Sequence, residues 1–146
     1  MLSLALFDLA NLRQVYEWDR AQQIEPFETY AARLSNADTW LHYAILDGER
    51  LAGCVSLELV APTECSIHLA KPPGGDRAAL RRLLIGLGIL LFENNFTRLI
   101  CQVRPDNAAA EALVRACGMT EVSRDANYIT LALTADEFFA NPTAWD

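Results

Sequence analysis

The chain has 146 residues, 52% of them hydrophobic and 21% charged, and a formal charge of −7. That length leads us to expect one domain spanning 1–146, and the composition is that of a packed globule and not of a disordered chain. The acidic balance, with no basic run longer than Arg81-Arg82, argues against nucleic-acid partners, because phosphate neutralisation needs a basic surface.

The opening MLSLALFDLANL has no basic region and reaches Asp8 too early for a secretory signal. Apolar positions Leu9, Leu12, Val15, Tyr16 and Trp18 then recur near helical spacing within Asp8–Tyr30. Glu25-Pro26 interrupts the pattern and Phe27–Leu34 resumes it, so residues 1–40 read as two helices. Leu41–Leu46 and Leu51–Val60 are strand-like runs flanking Asp47-Gly48-Glu49-Arg50. Asp-Gly between two such runs is a hairpin signal. Ala61-Pro62-Thr63 ends the second strand, and Cys65–Ala70 makes a third.

The loop KPPGGD (Lys71–Asp76) cannot be helical, and Arg77–Asn94 follows with a wide leucine face and Asp76 as its cap. The interior glycines Gly86 and Gly88 each cost that helix about 1 kcal/mol against alanine, which points to close packing on a sheet. A strand over Leu99–Val103 stops at Pro105, which has no N–H to donate to a ladder. Asp106 or Asn107 can cap the helix from Ala108 to Cys117, and Gly118 supplies its left-handed stop. Tyr128–Leu133 is the last strand before a tail over 134–146. The β–α–β–α–β stretch implies parallel pairing through crossovers, the hairpin is antiparallel, and helices should cover both faces of a mixed sheet.

Cys54, Cys65, Cys101 and Cys117 match no metal-ligand spacing, and each lies in an apolar run where a thiol acts as a small hydrophobe. No metal site is expected, and unpaired cysteines suit a reducing, cytoplasmic setting. The most apolar segment, Leu83–Phe92, is about half the length of a membrane span, so no membrane partner is expected.

Three segments together resemble the GNAT superfamily of acyl-CoA-dependent N-acyltransferases over roughly Leu41–Leu133: the hairpin AILDGERLAGCVSLEL, the strand–loop–helix SIHLAKPPGGDRAALRRLL, and VRPDNAAAEALVRACGM. In the last, Asn107, Ala110, Leu113 and Gly118 fall in step with the family, and Met119 stands where it has an aromatic residue. The resemblance implies an α/β (α+β) fold. Its central sheet would be mixed and mostly antiparallel with helices on both faces, in the order α-α-β-β-β-α-β-α-β. Residues 41–133 would form the core. It also implies acetyl-CoA or a related acyl-CoA as co-substrate and a small-molecule or protein amine as acceptor.

By the same resemblance, the pantetheine arm pairs with backbone around Ile67, Leu69 and Ala70, and a backbone amide near Leu69 polarises the thioester. The pyrophosphate falls on the loop Lys71, Gly74, Gly75, Asp76 and Arg77, where a helix N-terminus offers donors to an anion. Asn107 would reach the pantetheine as well as capping its helix. The loop departs from the family's basic-then-small pattern. Fitted on Pro72 it places Gly75, Ala78 and Leu80 at the motif positions, and fitted on Lys71 it places Lys71, Gly74 and Asp76 there. No tyrosine lies in Ala112–Ala116, where many relatives keep the acid that protonates the leaving thiolate.

Candidate bases are His68 and Glu64, with Glu58 and His42 behind them, and Tyr128 is a candidate acid. Strand alternation puts Ser66, His68 and Ala70 on one face, opposite Cys65, Ile67 and Leu69. Two readings follow: an N-acyltransferase acting by direct transfer, or a non-catalytic module on the same fold, as in degenerate GNAT-like chains of tailed phages. The apolar tail, Phe138-Phe139 with Trp145, could pack on a second copy in a homodimer.

Overall fold

The computed structural model describes residues 1–18 and 25–141. Trp145, and the part of the expected first helix over 19–24, lie outside them. The elements in chain order are β1 (Leu2–Leu6), a 3-10 turn (Leu9–Asn11), α1 (Leu12–Trp18), α2 (Phe27–Leu34), β2 (Trp40–Asp47), β3 (Arg50–Ala61), β4 (Glu64–Ala70), α3 (Arg77–Glu93), β5 (Arg98–Val103), α4 (Ala108–Ala116), β6 (Thr120–Arg124), β7 (Ile129–Thr134) and α5 (Ala135–Ala140). The sheet has seven strands in the order β1-β2-β3-β4-β5-β7-β6. The pairs β1–β2, β2–β3, β5–β7 and β6–β7 are antiparallel and β4–β5 is parallel. The mixed, mostly antiparallel sheet with crossover helices stands as expected.

Three elements correct the expected order. A strand, β1, precedes the helices and pairs along its whole length with β2, from Leu2↔Asp47 to Leu6↔Tyr43. The first helix starts only at Leu12, because Asp8 accepts from the Ala10 amide and caps a 3-10 turn there. At the other end, β6 and α5 occupy segments that the sequence pattern leaves as connection and tail.

The chain forms two compact units, Met1–Glu58 with His68–Gly75, and Leu59–Ile67 with the segment from Asp76 onward. In the first, Leu12, Tyr30, Leu34 and Trp40 form a buried cluster against which Phe7, Tyr16, Phe27 and Ala31 pack. The β2–β3 turn holds two residues between the Asp47↔Arg50 pair, and Gly48 takes φ +64° there. A first turn residue with positive φ matches strand twist, and glycine adopts it without strain.

In the second unit, Leu99, Ile129, Leu131 and Leu133 are buried along β5 and β7, with Leu87, Leu91 and Phe92 of α3. The caps form as the sequence suggests: Asp76 accepts from Ala79 N at 3.0 Å, Asn107 accepts from Ala110 N at 3.1 Å, and Gly118 takes φ +99°. Close packing of both α3 glycines does not hold. A Cβ on Gly88 would lie 3.8 Å from Phe138, ordinary contact, and one on Gly86 would meet nothing within 4 Å. Phe138, part of the apolar tail offered for packing on a second copy, is buried against Phe92 of its own chain, with ring centroids 5.1 Å apart.

Candidate active site

In the first unit the polar chemistry gathers on one face of β2, β3 and β4. Antiparallel register sets Trp40 opposite Glu58 and His42 opposite Ser56, and successive side chains on a strand alternate, so these four share a face. His68 completes the group. Its Nε2 lies 3.2 Å from Glu58 Oε1, and its ring centroid is 5.0 Å from that of Trp40. A carboxylate only accepts, so Nε2 carries the proton and Nδ1 keeps its lone pair. Burial is the largest influence on His68 and pushes its pKa below 6.5. The Glu58 charge and hydrogen bond pull it back up, and Arg33 and His42 add to the depression. A neutral imidazole with its tautomer set and an Nδ1 that no described residue engages is a proton acceptor at neutral pH.

His42 is the structural member of the pair. Its Nε2 lies 2.7 Å from the Leu34 carbonyl, which fixes the proton there, and Ser56 Oγ donates to Nδ1 at 2.7 Å. Both nitrogens are used and the side chain is buried, so His42 ties α2 to the sheet and has no lone pair for substrate. Cys54 lies under Ser56, with Sγ 3.7 Å from Oγ, and burial raises its thiol to about 11. That thiol is protonated at neutral pH and a poor nucleophile.

The loop after β4 is held by its own lysine. Lys71 Nζ donates to the carbonyls of Pro72 and Gly74, each at 2.8 Å, while Gly74 and Gly75 take φ +86° and +97° with open space where a Cβ would stand. Asp76 places its carboxylate on the first turn of α3. Leu80, the third motif position in the fit on Pro72, is 4% exposed and belongs to the core. Arg77 donates to the Ala109 carbonyl at 3.4 Å. Upstream, Gly53 brings β3 against the end of β4: a Cβ there would lie 3.2 Å from the Ala70 carbonyl oxygen and 3.4 Å from Lys71 Cβ.

The second unit holds the remaining expected residues. Glu64 opens β4 opposite Arg98 and forms an ion pair with it at 3.7 Å. Of the seven residues of β4, Glu64, Cys65 and Ser66 pair with β5, whereas β5 pairs with β7 over all six of its residues. Tyr128 stands just before β7, its amide donating to Asp125 Oδ1 at 2.8 Å and its carbonyl accepting from the Asp125 amide at 2.9 Å. Burial pushes Cys101 up to about 12 and raises Cys117 as well, and all four cysteines are free thiols.

No protein-family model and no curated protein sequence matches the chain. Solved structures do. A point mutant of the spermidine N-acetyltransferase of Vibrio cholerae matches with a TM-score of 0.76 at 15% identity, over 94% of this chain and 96% of that one. The ribosomal-protein-S18-alanine N-acetyltransferase of Escherichia coli matches with a TM-score of 0.71 at 23% identity, over 92% and 94%. The chain has the GNAT fold. A dodecameric structure of the Vibrio cholerae enzyme also matches, with a TM-score of 0.70 at 14% identity, over 94% of this chain and 95% of that one.

The sequence singled out His68 and its face, but it ranked Glu58 behind Glu64. What it missed is a cross-strand fact. The chain reverses at Pro62-Thr63, which brings positions ten apart within hydrogen-bond reach, and Trp40 arrives from a third strand. The signal was the pairing of a lone carboxylate on β3 with a lone histidine on β4, on either side of a turn.

Proposed function

We propose that this protein transfers an acyl group from acyl-CoA, acetyl-CoA first among them, to a primary amine, with His68 as the proton acceptor. The observation that carries the reading is the Glu58–His68 pair on a GNAT fold: a neutral imidazole on β4 with its tautomer set by Glu58 and an Nδ1 that no described residue engages. Spermidine and an alanine of ribosomal protein S18 are the acceptors named for two proteins of the same fold, so an amine is the acceptor class that the fold supports. The acidic chain favours approach of a cationic amine.

In this reading the donor's pantetheine lies along the backbone of Ile67, Leu69 and Ala70, the stretch of β4 beyond its three pairs with β5. An amide near Leu69 polarises the thioester carbonyl. The pyrophosphate lies on the loop from Lys71 to Arg77, where Gly74 and Gly75 leave the backbone open to close approach. Asn107 caps α4 and serves the pantetheine with its remaining polar atom. His68 Nδ1 takes one proton from the ammonium, and the freed amine attacks the thioester carbon. A C–N bond forms, the C–S bond breaks, and the second N–H proton leaves with the sulfur as free coenzyme A thiol. Most of the acceleration comes from holding amine and thioester together.

Release of free thiol from acetyl-CoA across a panel of primary amines tests this directly. The expected result is amine-dependent release that falls about 100-fold in His68→Ala, the ordinary size of a general-base contribution. Equal rates for the two proteins, or no amine-dependent release at all, would overturn the assignment.

A further inference from the structure

Arg104 differs from the other arginines of its unit. Arg98 pairs with Glu64, Arg115 with Glu111 and Glu121, and Arg124 with Glu121, while Arg77 and Arg81 donate to the carbonyls of Ala109 and Ala116. Arg82 is exposed to water. Arg104 is half-buried, its Nε is buried without a hydrogen-bond partner, and it forms no ion pair among the described residues. The chain has 19 carboxylate residues, so acids are not scarce. Guanidinium stays charged at any physiological pH, and a buried donor of a charged group left unpaired is among the more expensive features a fold can keep.

The surroundings hold this group in place. Its backbone is fixed where β5 ends, since the Arg104 carbonyl accepts from the Asn107 amide at 3.0 Å and Pro105 follows. The guanidinium carbon lies 5.9 Å from the centroid of the Tyr128 ring. Val103 pairs with Ile129, so Arg104 and Tyr128 are the next cross-strand neighbours. Tyr128 is itself pinned through its two backbone bonds to Asp125. The buried Nε faces inward, and the terminal N–H groups of this half-buried guanidinium, set beside an aromatic ring and engaged by no described residue, suit an incoming oxyanion.

We propose that Arg104, supported by Tyr128, is a binding site for an oxyanion group, a carboxylate or a phosphate, carried by a ligand of this protein. The site owes nothing to the acyl-transfer reading and would serve a non-catalytic module equally well. The same chemistry can come from a carboxylate on the acceptor or from a phosphate on the donor, and the probes separate these sources.

The test follows the Arg104 Nε–H resonance by NMR in the full chain while sodium acetate, inorganic phosphate or coenzyme A is added at constant ionic strength. It is paired with thermal unfolding of wild type, Arg104→Gln and the exposed-site control Arg82→Gln. The expected result is a saturable shift of that one resonance and a rise in Tm of the wild type and Arg82→Gln that Arg104→Gln does not share. Saturation by acetate and phosphate alike marks a general oxyanion site. Saturation by coenzyme A and phosphate but not acetate assigns it to the donor, and by acetate alone to a carboxylate. A resonance that stays put or drifts linearly with all three, or a Tm rise equal in all three proteins, would overturn the proposal. Thermal unfolding also reports whether Arg104→Gln is folded, so a missing Tm rise caused by misfolding is recognised.

Discussion

At the scale of single residues, the account turns on the charge of His68. Burial holds it neutral against the pull of Glu58, so its pKa lies below 6.5. The unfolded chain therefore takes up a proton that the folded one resists as the pH drops. The stability tied to this group is complete above 6.5 and is lost as pH falls through the lower folded value. A rate that needs neutral His68 falls along an acid limb as pH drops through that folded value. Glu58→Gln keeps an oxygen that accepts from Nε2 and removes the charge that supports protonation. Its acid limb should move to lower pH, read equally by the rate profile and by an NMR titration of the His68 ring protons. A limb that stays in place or moves toward neutral pH would show that Glu58 does not set the charge of His68.

Elements were legible where the chain punctuates itself. Asp76, Asn107 and Gly118 stand at helix ends in sequence and in structure, and Gly48 makes the tight turn between β2 and β3. They act on the next few residues, so a local pattern suffices. The elements that escaped lack such a pattern. All five residues of β6 are exposed, with no apolar face to read, and β1 is made a strand by residues some forty positions away in β2. α5 announces itself only in hindsight, through the capping box of Thr134 and Glu137. Two substitutions test the energetics at this scale. Asn107→Ala removes the α4 cap and should destabilise by about 1 kcal/mol. Gly86→Ala, where a Cβ meets nothing, should stabilise by about 0.5–1 kcal/mol in denaturant unfolding. Destabilisation by Gly86→Ala would mean that α3 packs more tightly than its geometry indicates.

For the molecule as a whole, fold and chemistry were unequally written. Hydrophobic periodicity and turn residues set the order of hairpin, strand, long helix, strand and capped short helix, and the resemblance of those segments to the GNAT superfamily supplied the fold that the solved structures match. The candidate site depends on side chains that meet across strands, Glu58 on β3 with His68 on β4 and Trp40 on β2, and so, in the other unit, does the meeting of Arg104 with Tyr128. Glu58 and His68 stand ten residues apart across one turn, but no short window contains the meetings of Trp40 with His68 or of Arg104 with Tyr128. The loop toward α3 stands between the two cases, since its glycines were visible, yet the seating of Lys71 on its own carbonyls was not.

The central claim is that this fold still takes an acyl-CoA along β4. Calorimetric titration of the full chain with acetyl-CoA tests it most directly, with Gly53→Ala and Gly74→Asp titrated alongside. The account predicts one site per chain. Binding should weaken several-fold in Gly53→Ala, whose methyl would press on the Ala70 carbonyl 3.2 Å away. It should be lost in Gly74→Asp, which adds a carboxylate to the loop assigned to the pyrophosphate. No heat of binding at millimolar acetyl-CoA, or equal binding by all three proteins, would contradict it.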